Sequence, residues 1–198
     1  RPMTVSLILT RTDGLKPALL AKGAEAVATR VAALGLTLLA PVTVAHATGA
    51  VAAAIRAASG ELVLILGASA TSDVADTCPQ ALVAAGGEVI RFGMPVDPGN
   101  LLFLGHHAGR PVVGLPGCAR SPALNGADFV LERLAAGVAV GSAEIAAMGV
   151  GGLLKEIPQR PQPRAGVAPA AVPGRPRVSA LVLAAGASRR MRGVDKLL

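Results

Sequence analysis

The chain has no tryptophan and no tyrosine, and its only aromatic side chains among 198 residues are Phe92, Phe103 and Phe129. Platforms for stacking unpaired bases are therefore missing, which argues against a single-stranded nucleic-acid binder. Its two cysteines, Cys78 and Cys118, are too few for a disulfide framework and lack the paired spacing of a zinc site. A reduced, cytoplasmic protein is the simplest reading. Charge is sparse at 16% of residues, and none falls between Arg30 and Arg56. That uncharged span is long enough to cross a bilayer. Gly35, Pro41, His46 and Gly49 interrupt it, however, and its apolar period changes from helical to strand-like partway along. Core helix, core strand and second helix explain it better than a membrane segment.

The net charge of +7 also misleads until it is located. Residues 1–158 carry 11 basic and 11 acidic side chains and are neutral. The whole excess follows, where eight Arg and Lys residues stand against Asp195 alone. The body consequently has no net field to attract a phosphate backbone, and no nucleic-acid partner is expected. Proline is concentrated there too: Gln159 to Arg177 holds Pro161, Pro163, Pro169, Pro173 and Pro176, the composition of an extended linker. With Arg1 at one end and Leu198 inside a motif at the other, the chain reads as a piece of a longer protein. The expected organisation is a domain over residues 1–157, a Pro/Arg-rich linker over 158–177 and the opening of another domain over 178–198.

What is abundant is alternating strand and helix signal. Val5 to Leu9 suits a first buried strand, and Thr37 to Val44 a second. Between them, Leu20, Ala24, Val27, Val31 and Leu34 recur at helical spacing, with Lys22, Glu25 and Thr29 opposite. Thr48 is placed to cap a helix carrying Val51, Ile55 and Ala58. Leu62 to Leu66 is an unbroken apolar run, as in a strand covered on both faces. A helix ending over Leu82 to Ala85, a strand over Val89 to Phe92 and a loosely turned hairpin around Gly105 to Arg110 follow. This alternation predicts a three-layer α/β/α sandwich with a mostly parallel sheet.

Two loops at strand ends stand out. Gly67-Ala68-Ser69-Ala70-Thr71-Ser72-Asp73-Val74-Ala75-Asp76 follows the apolar run, and Gly114-Leu115-Pro116-Gly117-Cys118-Ala119-Arg120-Ser121-Pro122 follows Val112 and Val113. Ser121-Pro122 reads as a helix cap followed by proline at the first helical position. Loops at the carboxyl ends of strands are where open α/β sheets bind ligands. Ser69 and Ser72 can donate to a phosphate, or simply satisfy the turn. Asp73 and Asp76, three apart in the first loop, are placed to cap the next helix, and the resemblance given below makes them candidates for catalysis and metal binding. Cys118 is either a packing residue or a contact for a ligand's sulfur. Adjacent His106 and His107 rarely converge on one ion and are expected on a surface loop.

These loops resemble the molybdopterin-binding domain of molybdopterin molybdotransferases and adenylyltransferases. That family carries Gly-Leu-Pro-Gly-Asn-Pro, which Gly114 to Ala119 resembles, and Gly-Gly-Val-Ser-Val-Gly-Asp-Tyr-Asp, of which Gly67 to Asp76 is a looser version. Met94-Pro95-Val96-Asp97-Pro98-Gly99-Asn100 is similar to the family's Met-Lys-Pro-Gly-Lys-Pro, with both lysines replaced. The resemblance implies molybdopterin contacts from Thr10, Asp13, Gly67, Ser69, Ser72, Pro116, Gly117, Cys118, Arg120 and Ser121. It also implies that Asp73 and Asp76 hold Mg²⁺ or act near the pterin phosphate. Val178 to Leu198 resembles the opening of molybdenum-cofactor cytidylyltransferases and guanylyltransferases. There Ala185, Gly186, Ser188, Arg190 and Lys196 would bind the nucleotide, CTP for the parent transferase. The implied function is molybdenum-cofactor biosynthesis: capture of molybdopterin and its presentation to a fused nucleotidyltransferase. A non-catalytic carrier or sensor and a pyridine-nucleotide hydrolase are the alternatives. The family's closed assemblies point to a homodimer or homotrimer.

Overall fold

Five consecutive residues with no polar side chain can persist only where both sheet faces are covered, and Leu62–Leu66 occupies that position as β4. In the computed structural model, which describes residues 3–150 and 152–154, all five are buried. Leu62, Leu64 and Leu66 point into one core, with Val27, Val31, Val113 and Leu131. Val63 and Ile65 point into the other, with Val51, Ile55, Leu82 and Phe103. The period-two alternation of a strand thus divides one apolar run between two cores.

β4 lies between β1 (Thr4–Arg11) and β7 (Arg110–Leu115), parallel to both. Beyond β1, the edge is shared end to end by β2 (Thr37–Leu38) and β3 (Val42–Ala45), each parallel to β1. The single strand expected over Thr37 to Val44 is thus interrupted, and Pro41, which has no N–H to donate, lies in the gap. On the other side, β6 (Phe103–His107) runs antiparallel to β7, and β5 (Glu88–Phe92) is antiparallel to β6. The hairpin expected around Gly105 to Arg110 is real and tighter than its sequence implied. Ala108 and Gly109 both have positive φ, 50° and 72°, the backbone of a two-residue turn that matches strand twist.

Helices α1 (Pro17–Ala33), α4 (Gly126–Ala135) and α5 (Ser142–Ala146) cover the first core, and α2 (Thr48–Ala57) and α3 (Thr77–Ala84) the second. The three layers are the architecture anticipated from the alternating pattern. In α1, Val27 and Val31 are buried and Leu20 and Ala24 partly so, as is Leu34 just past its end, as their spacing predicted.

Two helix starts differ from the expectation. Thr48 is the first residue of α2 and Ala47 its cap. Ser121-Pro122 does not open α4: Gly117–Arg120 forms a 3-10 turn, the chain stays irregular through Leu124, and Asn125 is the cap. The reason is a reciprocal pair. The Asn125 side chain accepts the Ala127 N–H at 2.9 Å, and Asp128 accepts the Asn125 N–H at 2.8 Å. Two donors are satisfied together, which a serine cap followed by proline does not achieve here. The chain divides into units Arg1–Pro158 and Gln159–Leu198. The expected linker over residues 158–177 and the residues expected to bind nucleotide, Ala185, Gly186, Ser188, Arg190 and Lys196, lie outside the described residues.

Candidate functional site

Parallel strands deliver their carboxyl ends to one edge of the sheet, and the register sets which ends meet. Leu66 pairs with Leu115, so the loops that follow, Gly67–Asp76 and Pro116–Asn125, leave the sheet side by side. β5 runs in the same sense as β7, so the Met94–Asn100 loop leaves at that edge too. Gly126 N–H donates to Pro98 O at 2.8 Å, and a Cβ on Gly99 (φ 130°) would strike the Gly126 backbone. All three motif-bearing loops therefore gather at the carboxyl edge.

The two central loops are joined through one peptide. The Gly67 carbonyl accepts from the Arg120 guanidinium on the β7 side. The N–H of the same peptide, on Ala68, donates to Thr10 Oγ1 at 2.6 Å on the β1 side. Side chains thus take over the ladder where backbone pairing stops. Thr10 is wholly buried, and burial lowers the Arg120 pKa from its usual value. Gly23 of α1 makes space for this arrangement: a Cβ there would sit 2.8 Å from Leu66 Cδ2 and 3.4 Å from Arg120 Cγ.

The Pro116–Asn125 loop is held from beneath by Arg30 of α1, which sequence reasoning missed. Its guanidinium donates to Asp128 Oδ1 at 2.7 Å, Ala119 O at 2.8 Å, Ser121 O at 2.6 Å and Ala123 O at 2.9 Å. Arg30 is 8% exposed and Asp128 15%. A buried charge with these partners is satisfied, and the carbonyls turned toward it leave the other side of the loop to face outward. Cys118 is half-buried, and burial above all raises its thiol pKa.

The serine and aspartate loop is exposed at its tip. Asp76 Oδ2 accepts the N–H groups of Ser72 at 2.7 Å and Asp73 at 2.9 Å, while Asp73 Oδ1 accepts Ala75 N–H at 2.7 Å. Both carboxylates therefore shape their own loop. Asp76 also sits at the cap position of α3 without capping it through its side chain. Among the described residues, no group of three or more His, Cys, Asp or Glu side chains could hold a metal ion. A cation at Asp73 and Asp76 would depend on oxygens brought by a ligand. Asp13 is exposed on the turn after β1, on the same edge.

Another residue that sequence reasoning passed over is His46. It follows β3, where its N–H donates to Arg11 O at 2.8 Å. Its Nδ1 is 2.8 Å from Thr10 Oγ1 and its Nε2 is 3.5 Å from Ser69 Oγ. Burial lowers its pKa, and the nearby Asp76 charge opposes that shift. A single histidine in an uncharged span gave no spacing signal. The placement of β3 alongside β1 brings it in.

No protein-family model matches the chain, and no curated protein matches it. Among solved structures, it is similar to the molybdopterin biosynthesis MoeA protein from Pyrococcus horikosii at 25% identity and TM-score 0.45. That similarity covers 59% of this chain and 30% of the other. It is also similar to CinA, a protein of unknown function from Thermoplasma acidophilum, at 17% identity and TM-score 0.42, over 60% of this chain and 90% of that one. No described helix is long and apolar enough to cross a membrane.

Proposed function

We propose that the domain binds molybdopterin between its two central loops and serves molybdenum-cofactor biosynthesis. The observation that carries this reading is the shared peptide: Arg120 on Gly67 O and Thr10 on Ala68 N–H bring the two family-like loops together at one edge. Ser69 and Ser72 from one loop, and Gly117, Cys118, Arg120 and Ser121 from the other, would line the ligand. Arg120 and the backbone around the 3-10 turn favour the phosphate end. The domain's role is binding and presentation, because Asp73 and Asp76 are already engaged by their own loop. The sequence from Val178 would begin a nucleotidyltransferase that transfers a cytidylyl group to the presented pterin phosphate. Mg²⁺ would serve that second active site.

Anaerobic equilibrium dialysis of the 198-residue chain against molybdopterin, read by the fluorescence of the oxidised pterin, tests the proposal. Retention is expected, with Arg120→Ala weakening it by at least about tenfold, the worth of one charged hydrogen bond. A wild-type chain that retains no molybdopterin overturns the reading.

A further inference from the structure

The wall formed by Thr10, His46 and Ser69 has a defined hydrogen-bond polarity, and that polarity selects a ligand group. Thr10 Oγ1 accepts the Ala68 N–H at 2.6 Å and lies 2.8 Å from His46 Nδ1. Its side chain is fully buried, so its one proton needs a protein acceptor, and Nδ1 is the acceptor in reach. Donation from Thr10 to Nδ1 leaves the imidazole proton on Nε2. The opposite tautomer would use both Thr10 lone pairs as acceptors and strand the hydroxyl proton. Burial lowers the His46 pKa, so the ring is neutral at neutral pH.

Nε2–H then faces the exposed Ser69 hydroxyl at 3.5 Å, too long for a good mutual bond, and the hydroxyl's donation to Ala70 O is long as well at 3.4 Å, so an incoming acceptor can take both donors. The titratable groups beside His46 are both from the start of α3. Asp76 is close enough to raise the His46 pKa, and Cys78, across Gly67, is a protonated thiol with its pKa pushed up to about 11. A carboxylate at this distance opposes an anion and favours N–H groups.

We propose that His46 Nε2–H and the Ser69 hydroxyl form a two-donor seat for a neutral carbonyl oxygen flanked by N–H groups, the lactam edge of a pterin. This rests on the pterin reading above and orients the ligand within it. The lactam points toward β3 and Asp76, and the phosphate toward Arg120. Neutral His46 cannot serve as a base for Ser69 in this tautomer, so the seat binds and does not activate a nucleophile.

The test is fluorescence titration of the full 198-residue chain at pH 7.5 with pterin and with 2,4-diaminopteridine, in which an amino group replaces the lactam carbonyl. Wild type should prefer the lactam by about tenfold. His46→Ala and Ser69→Ala should each erase most of that preference, and His46→Gln, whose amide keeps a donor, should restore part of it. Ser69 lies on an exposed loop tip, so its variant remains informative if His46→Ala folds poorly. Equal binding of the two pteridines by wild type, or an unchanged preference in Ser69→Ala, overturns the seat. Molybdopterin retained without lactam preference removes the seat alone, whereas lactam preference without molybdopterin retention removes the broader reading alone.

Discussion

Arg30 is the side chain whose loss should be felt most. Arg30→Met leaves the Asp128 carboxylate without its ion-pair partner and the carbonyls of Ala119, Ser121 and Ala123 without their donor. Breaking one side of a buried pair costs about 3–5 kcal/mol, to be read as a fall in the urea midpoint at unchanged slope. None of this was visible in the sequence, because three of the partners are backbone carbonyls about 90 residues away, a relation without a residue-type signature. His46 was hidden because only the pairing of β3 with β1 brings it to the side chains of Thr10 and Ser69. Its titration gives a second expectation. Because burial lowers its folded pKa below the ordinary 6.5, the unfolded chain binds more protons between the two values. Stability should therefore fall as pH drops through 6.5, and His46→Gln should flatten that slope in denaturation curves at pH 7.5, 6.5 and 5.5. Cys78 works at the other end of the scale. Its thiol, pushed up to about 11 from an ordinary 9.0, should resist alkylation at pH 8 while half-buried Cys118 reacts first.

At the scale of elements, the start of α4 shows which local signal wins. Ser121-Pro122 and Asn125-Gly126-Ala127-Asp128 are both plausible openings in one stretch, and only the second places an acidic group three residues after the cap. Asp128 also receives Arg30, so the same carboxylate closes the capping box and anchors α1. Asn125→Ala should cost about 1–2 kcal/mol in chemical denaturation, and the cap being fully buried favours the upper value. The strand pattern was easier to read. Leu62 to Leu66 declared a two-sided burial that no helix assignment explains, and the periodicity of α1 predicted its buried face. The break between β2 and β3 was less legible, since Pro41 marks where a ladder stops but not that the chain resumes beside the same neighbour.

At the scale of the molecule, the sheet fixes a gradient of order. β1, β4 and β7 form its parallel centre, while β2 and β3 lie at one edge and β5 at the other. Native-state hydrogen exchange should find the slowest amides in β4 and the fastest strand amides in β3, whose side chains are largely exposed. Equal protection across these strands would contradict that gradient. The layer architecture and the convergence of motif loops were readable because both depend on period and order along the chain. The links between loops depended on tertiary placement and were not readable.

Gly23 gives this architecture a lever. A methyl group on the outer helix at that point would press on Leu66 and Arg120 without touching any ligand. To make room, the Leu66 methyl must turn aside and the Arg120 stem must yield by a few tenths of an ångström, which strains the guanidinium's hold on Gly67. Where that hold loosens, the two loops drift apart while the strands keep their pairing. In the proposed reading, ligand capture is thus tuned from the back of the domain by a single carbon atom, with the layers left standing.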